Sequence, residues 1–342
     1  MQALVLHGKN DLRFESNFPD PTPGPGQVLL RMTYASICQT DVEIWKNGMR
    51  RVDRYPVIQG HEAAGVVVGH GEGVQNPPIG TRVAVENVIS CGTCFFCRKG
   101  RGSLCENGQN FGFSANGGLA ELAVWSAANM IPLPDSVSDE EAPLSEPTTV
   151  AVHAVRRSGI QVGDTAAVIG CGVVGLTTLQ VLQHAGAKVF AVDTKPRSLE
   201  LAVQLGAAQT VDASSGNVEQ ILQELTGGYG PDVVIETAGA KNTPAMAISS
   251  ARRGGNVVLA GISHEASSFD FRSIVLSEKI VTGTVGADPG DYRKAVELIG
   301  SGKINVKPLI TSKATLERGL EDGFMRAGDP DDDVYRILVG NG

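Results

Sequence analysis

Between residues 165 and 259 short apolar runs alternate with segments of helical period, a pattern that few folds can satisfy. The runs fall at 165–169, 188–192, 232–235 and 256–259, with helical stretches at 173–185 and 196–205 among the intervening segments. Strand and helix in strict alternation give a parallel sheet whose crossover helices cover its faces. The expected fold class is therefore α/β, with a doubly wound parallel sheet over residues 151–289. Residues 1–150 read differently. Runs at 28–32, 64–68 and 82–85 are broken by glycine and proline, and 19–26 holds four prolines, which makes it a connector. This part reads as a mostly β domain. One helix at 292–300 and short apolar pieces after it are expected to return residues 290–342 to that domain.

With 342 residues the chain has room for two cores. Its 42 glycines suit a fold with many turns and close backbone approaches. A net charge of -8 argues against nucleic acid as a partner, because phosphate binding relies on a basic face. The first residues run out of apolar character too early for a signal segment, and no apolar stretch is long enough for a bilayer. A cytoplasmic protein without membrane contact is the expectation.

The first strand of the alternating region runs into Gly170-Cys171-Gly172-Val173-Val174-Gly175, which opens a helix. Glycines there permit the tight turn, close approach to a pyrophosphate and packing of helix on strand, and the helix N-terminus faces the negative charge. Gly170, Gly172, Val174 and Gly175 are the candidate phosphate-binding residues. Asp193 ends the next strand, where a carboxylate accepts hydrogen bonds from an adenosine ribose and repels a 2′-phosphate, so NAD is favoured over NADP. Lys195 and Arg197 are nearby cations that pull the other way. Arg197, Ser198, and Ala238 and Gly261 at later strand ends complete the candidate cofactor set.

Cys91, Cys94, Cys97 and Cys105 lie within fifteen residues of a chain that holds only two other cysteines. Such spacing suits a closed tetrahedral zinc site, and in a reducing compartment metal explains the cluster better than disulfides do. A closed site leaves no position for chemistry, so a catalytic metal is sought elsewhere. Cys38, His61 and a nearby carboxylate form a three-ligand set that leaves zinc an open position. Two acids compete for the third place: Glu62, next to His61, and Glu146, in an apolar, proline-flanked stretch where an acid is costly to bury without a partner.

Gly60-His61-Glu62-x2-Gly65-x5-Gly71-x2-Val74, the Cys38 segment, the four-cysteine lobe, Glu146 and the nucleotide fingerprint follow one another in the order and spacing of a known family. In these the chain resembles the zinc-dependent medium-chain alcohol dehydrogenases over nearly its whole length. Glu146-Pro147, Ala151-Val152-His153-Ala154 and Asn305-Val306-Lys307-Pro308-Leu309-Ile310-Thr311 look most like the sorbitol (polyol) dehydrogenase branch, with threonine dehydrogenases as near neighbours. The resemblance implies a GroES-like catalytic domain, a Rossmann domain and an active site in the cleft between them. It also implies two zinc ions per chain, one catalytic at Cys38 and His61 with Glu62 or Glu146 and one structural, together with NAD and a homotetramer, a dimer being the second choice. The implied reaction is reversible oxidation of an alcohol or reduction of a ketone. Thr40 matches the hydroxyl that hands the alcohol proton onward.

Two positions depart from the family. Glu43 stands where members often carry a histidine that helps the proton toward solvent, and its carboxylate has a reference pKa of ~4.3 against ~6.5. Proton release is therefore expected by water or the cofactor ribose, and Glu43→Ala should cost less kcat/KM than Thr40→Ala. Gly286-Ala287 lies close to where sorbitol dehydrogenases place an Arg-Tyr pair, which weakens the case for sorbitol itself. Trp45, Phe111 and Phe113 are candidates for substrate walls or for core packing. A 3-hydroxy amino acid dehydrogenase is the alternative function. A zinc-free quinone reductase and a non-catalytic structural relative are weaker, since the former lacks the cysteine lobe and the Cys38/His61 pair.

Overall fold

The computed structural model describes residues 1–48, 54–263 and 265–340. They form two compact units, one of Met1–Glu146, Asp288–Ser301 and the chain from Val306 onward, the other of Pro147–Ala287 with Gly302–Asn305.

The early elements are β1 (Ala3–Gly8), β2 (Asp11–Glu15), β3 (Gln27–Ser36), α1 (Gln39–Asn47), β4 (Val57–Ile58), β5 (Glu62–His70), β6 (Arg82–Val85) and β7 (Val88–Ile89). After these come α2 (Phe95–Arg98), β8 (Gln109–Asn110), β9 (Leu122–Ser126), β10 (Met130–Pro132) and α3 (Ser145–Ser158). The alternating region supplies β11 (Thr165–Ile169), α4 (Val173–His184), β12 (Lys188–Asp193), α5 (Pro196–Gln204), β13 (Gln209–Asp212) and α6 (Val218–Leu225). It continues through β14 (Val233–Glu236), α7 (Thr243–Ser250), β15 (Asn256–Leu259), α8 (Arg272–Val275) and β16 (Ile280–Gly283). The chain ends with α9 (Asp291–Gly300), β17 (Ile310–Ala314) and β18 (Arg336–Val339).

In the first unit β3 is the hub. It pairs antiparallel with β5, β9 and β18 within the sheet β10-β6-β5-β3-β18-β17, while β2-β1-β4 form a smaller sheet and β7-β8 a ribbon. Trp125, Leu4, Leu6, Leu30 and Ile37 fill the core without solvent contact. Each aliphatic side chain so buried contributes roughly 1.5–3 kcal/mol. Two register pairs matter for chemistry: Ser36 faces Glu62, and Leu338 faces Ser36.

The second unit is one parallel sheet of order β13-β12-β11-β14-β15-β16. Its inner strands are near-continuous apolar runs, as strands covered on both faces must be, and Val168, Phe190, Val234 and Val257 are fully buried. The order reverses between β11 and β14, the place where such sheets bind ligands.

Candidate functional site

Sheet register brings the candidate metal ligands of the first unit together. Cys38 lies two residues beyond β3 and His61 immediately before β5, so the Ser36–Glu62 pair draws both to one end of the sheet. Donor atoms of Cys38, His61 and Glu62 all lie within 4.8 Å of one another. Glu146 is not among the three. Thr40, in the first turn of α1, holds its hydroxyl 3.8 Å from the Cys38 sulfur.

Around this group stand residues outside the candidate set drawn from the sequence. Asp41 is fully buried and accepts from the Cys38 backbone N–H at 2.9 Å, while its other oxygen lies 3.3 Å from His61 Nδ1. That pairing orients the ring and leaves Nε2 as its ligand atom. Removal from water works against a charged imidazole, yet Asp41 and Cys38 together hold His61 well above its ordinary pKa. The proton must leave before the ring can serve a metal. Arg336 forks onto Glu62, with Nε 2.8 Å from Oε2 and Nη2 2.7 Å from Oε1, and Nη2 also lies 3.7 Å from the Cys38 sulfur. Ser36 Oγ donates to Glu62 Oε2 as well. Asn87 donates to Glu146 Oε1 at 3.0 Å. Desolvation raises Glu146 to about 7, against the pull of His61, so this acid can carry a proton near neutrality.

The aromatic candidates divide. Phe113 sits with its ring 4.7 Å from that of His61, whereas Phe111 packs on Trp125 at 3.6 Å and Trp45 meets Phe324 edge-on at 5.9 Å. The last two serve the core.

The four-cysteine lobe closes around a point. Sulfurs of Cys91 and Cys97 are 4.0 Å apart and those of Cys94 and Cys105 3.9 Å, close to the edge of about 3.8 Å in a tetrahedron of ~2.3 Å zinc–sulfur bonds. All four are free thiols. Backbone N–H groups of Cys91, Cys94 and Cys97 point at sulfurs of the set. Hydrogen bonds led by the Thr93 backbone draw Cys91 down to about 6, while desolvation pushes Cys97 up to about 12. Four sulfurs so close cannot all be thiolates without a cation, so the donor set fits zinc.

In the second unit the fingerprint has the shape a dinucleotide needs. Gly170 takes φ +95°, and a Cβ there would meet the Ala238 backbone N at 2.7 Å. A Cβ on Gly175 would meet the Gly170 carbonyl oxygen at 1.8 Å, so α4 can start this close to β11 only with glycine. Gly172 opens onto empty space, and no side chain caps the α4 N-terminus, which leaves N–H groups for phosphate; Val174 lies in that first turn. Asp193 ends β12 and accepts from the backbone of Cys171 at 2.6 Å and Lys195 at 2.8 Å, with lone pairs to spare for ribose hydroxyls. Arg197 and Ser198 occupy the first turn of α5. Ala238 and Gly261 follow β14 and β15. Cys171 is buried with its thiol pushed up by desolvation, so it packs rather than reacts.

Residues 24–135 match the alcohol dehydrogenase GroES-like domain, and residues 173–301 match the zinc-binding dehydrogenase family. Human sorbitol dehydrogenase is 35% identical over 328 residues, covering 93% of this chain and 90% of that protein. The chain belongs to the zinc-dependent medium-chain alcohol dehydrogenases. Among solved members of the family, 2R,3R-butanediol dehydrogenase from Bacillus subtilis superposes with a TM-score of 0.91 at 31% identity, over 100% of this chain and 99% of that one. A zinc-binding dehydrogenase of Sinorhizobium meliloti bound to NADP gives 0.93 at 30% identity, over 99% of both chains. The cysteine lobe and the Cys38, His61 and Glu62 group are both compatible with the zinc sites of such an alcohol dehydrogenase. No described helix is long and apolar enough to cross a membrane.

Proposed function

We propose that the chain reversibly oxidises a secondary alcohol, diol or polyol to the carbonyl with hydride transfer to NAD. The observation that carries this is the gathering of Cys38, His61 and Glu62 within 4.8 Å, beside the Thr40 hydroxyl. These three are assigned as the protein ligands of a catalytic zinc, and the four-cysteine lobe as the holder of a structural one. What the metal supplies when bound is Lewis acidity toward an alcohol oxygen. Thr40 takes up the alcohol proton. Glu146, held by Asn87, is the second acid at the site, and its pKa of about 7 suits it to exchange a proton there.

Toward the cofactor, the α4 N-terminus and the space at Gly172 receive the phosphates, and Asp193 receives the adenosine ribose. Its carboxylate repels a 2′-phosphate, so NAD is preferred although the Sinorhizobium meliloti relative was solved with NADP. A homotetramer is the proposed assembly. The outer edge of β16 supports self-association, since Ile280, Val275 and Leu276 are all more than 60% exposed beside it and Lys279 folds back onto the Ile248 carbonyl instead of guarding it.

The test is a screen of nicotinamide reduction over sugar alcohols, vicinal diols, cyclitols and 3-hydroxy amino acids, run in parallel with NAD and NADP. The expected result is turnover of a diol or polyol with kcat/KM for NAD more than about tenfold above NADP, a difference of ~1.4 kcal/mol. Best turnover of threonine would move the chain to the 3-hydroxy amino acid branch. A preference for NADP would overturn the assignment of Asp193.

A further inference from the structure

Glu236 is the last residue of β14, and none of it reaches solvent. A carboxylate in that position is costly unless its oxygens find donors. Oε1 finds three: the backbone N–H of Ala238 at 2.8 Å, that of Gly239 at 2.7 Å, and the Thr243 hydroxyl at 2.8 Å. The Glu236 carbonyl accepts from the N–H of Ala260 at 2.8 Å and of Gly261 at 3.0 Å. Among the described residues Oε2 has no partner, and it lies against the second of these turns. A Cβ on Gly261 would lie 2.7 Å from Oε2 and 2.2 Å from the Gly239 nitrogen. Gly239, at φ +63°, has no more room, because its Cβ would stand 2.7 Å from the Ile262 carbonyl oxygen. One residue thus clamps the turns that end β14 and β15 onto each other.

The first of those turns is also fastened to the phosphate loop. Thr237 Oγ1 donates to the Gly170 carbonyl at 2.8 Å, and the Thr237 backbone N–H to that of Ile169 at 2.8 Å. Sheet order says what the clamp serves. The reversal between β11 and β14 divides a dinucleotide site, with the adenosine half on the side of β12 and Asp193 and the nicotinamide half on the side of β14 to β16. Glu236 stands on the second side, behind backbone that faces the crevice. Its own atoms are too deep to touch a ligand.

We propose that Glu236 is a positioning residue for the nicotinamide half of the dinucleotide, a role that rests on the cofactor reading above. By fixing the turn after β14 before the ligand arrives, its carboxylate removes an ordering cost from binding of that half alone. Glu236→Gln keeps an oxygen for the three donors but removes the charge and places an amide N–H2 where Oε2 lies, against the Gly261 turn. Thr243→Val withdraws one donor and leaves the carboxylate in place.

The experiment is fluorescence titration of the full-length, zinc-loaded protein with NADH, with 5′-AMP measured by competition, alongside thermal midpoints. Glu236→Gln is expected to weaken NADH about tenfold while 5′-AMP stays within about twofold, and Thr243→Val to weaken NADH about threefold with the same selectivity. Equal losses for NADH and 5′-AMP would show a clamp that serves only the fold and would overturn the proposal. Unchanged NADH affinity in both variants would overturn it too. Should Glu236→Gln not fold, the Thr243→Val selectivity decides. An unaltered protein that binds no NADH fails earlier, at the cofactor reading itself.

Discussion

Cys38→Ser is expected to empty one of the two metal sites and to lower kcat/KM by on the order of 10³–10⁴-fold, with the fold intact. Lewis-acid stabilisation of developing charge is worth several kcal/mol, and each ~1.4 kcal/mol is a factor of ten in rate. Serine cannot replace a thiolate whose reach places it within 4.8 Å of the His61 and Glu62 donors. Metal analysis should then find the lobe of Cys91, Cys94, Cys97 and Cys105 still loaded. Cys91→Ser gives the opposite pattern: the lobe loses its ion and the thermal midpoint falls, while the surviving folded enzyme keeps most of its kcat. If Cys38→Ser retained near-normal turnover in a sample shown to lack the second ion, the assigned ligand set would be wrong.

The contrast between these two cysteines also shows what a sequence can carry. The lobe is local, with all its sulfurs in fifteen residues, so spacing alone gives its shape. The parallel sheet was legible for a related reason. Strands β11, β12, β14 and β15 are covered on both faces and read as apolar runs, whereas the edges β13 and β16 are half exposed and leave weak patterns. In the first unit β3, β5 and β6 were among the runs that stood out. Shorter strands there carry few residues each, and β17 and β18 gain meaning only by pairing with chain laid down far earlier. Asp41 had a local signal, three residues after Cys38 at the start of a helix, where an acid can turn back to the N-cap backbone. Asn87 and Arg336 had none. The Leu338–Ser36 register carries Arg336 to the Cys38 level from 274 residues beyond Glu62, and the choice between Glu62 and Glu146 depends on that arrival. Glu62 brings its donors to the metal group but shares both oxygens with the guanidinium.

Arg336 is for that reason the residue whose loss should cost most in stability. Its side chain is 9% exposed and that of Glu62 fully buried, and the fork satisfies both carboxylate oxygens. Desolvation acts to lower the arginine pKa, yet the charges of Glu62 and Cys38 hold it above its ordinary value, so the guanidinium remains charged. Removing one member of such a pair strands the other, at a cost of about 3–5 kcal/mol. Arg336→Met should therefore lower the thermal midpoint of the zinc-free protein by on the order of 10 °C. Arg336→Lys should fall between, because an ammonium keeps the charge but cannot make two parallel bonds. Adding Glu62→Gln to Arg336→Met should restore part of the loss, since the stranded charge is gone. Zinc supplies the missing positive charge at the same carboxylate and thiolate, so the penalty measured on zinc-loaded Arg336→Met should be smaller than on zinc-free protein. Equal penalties with and without zinc would mean that Glu62 answers to the arginine alone, and Glu146 would then be the acid to place on the metal.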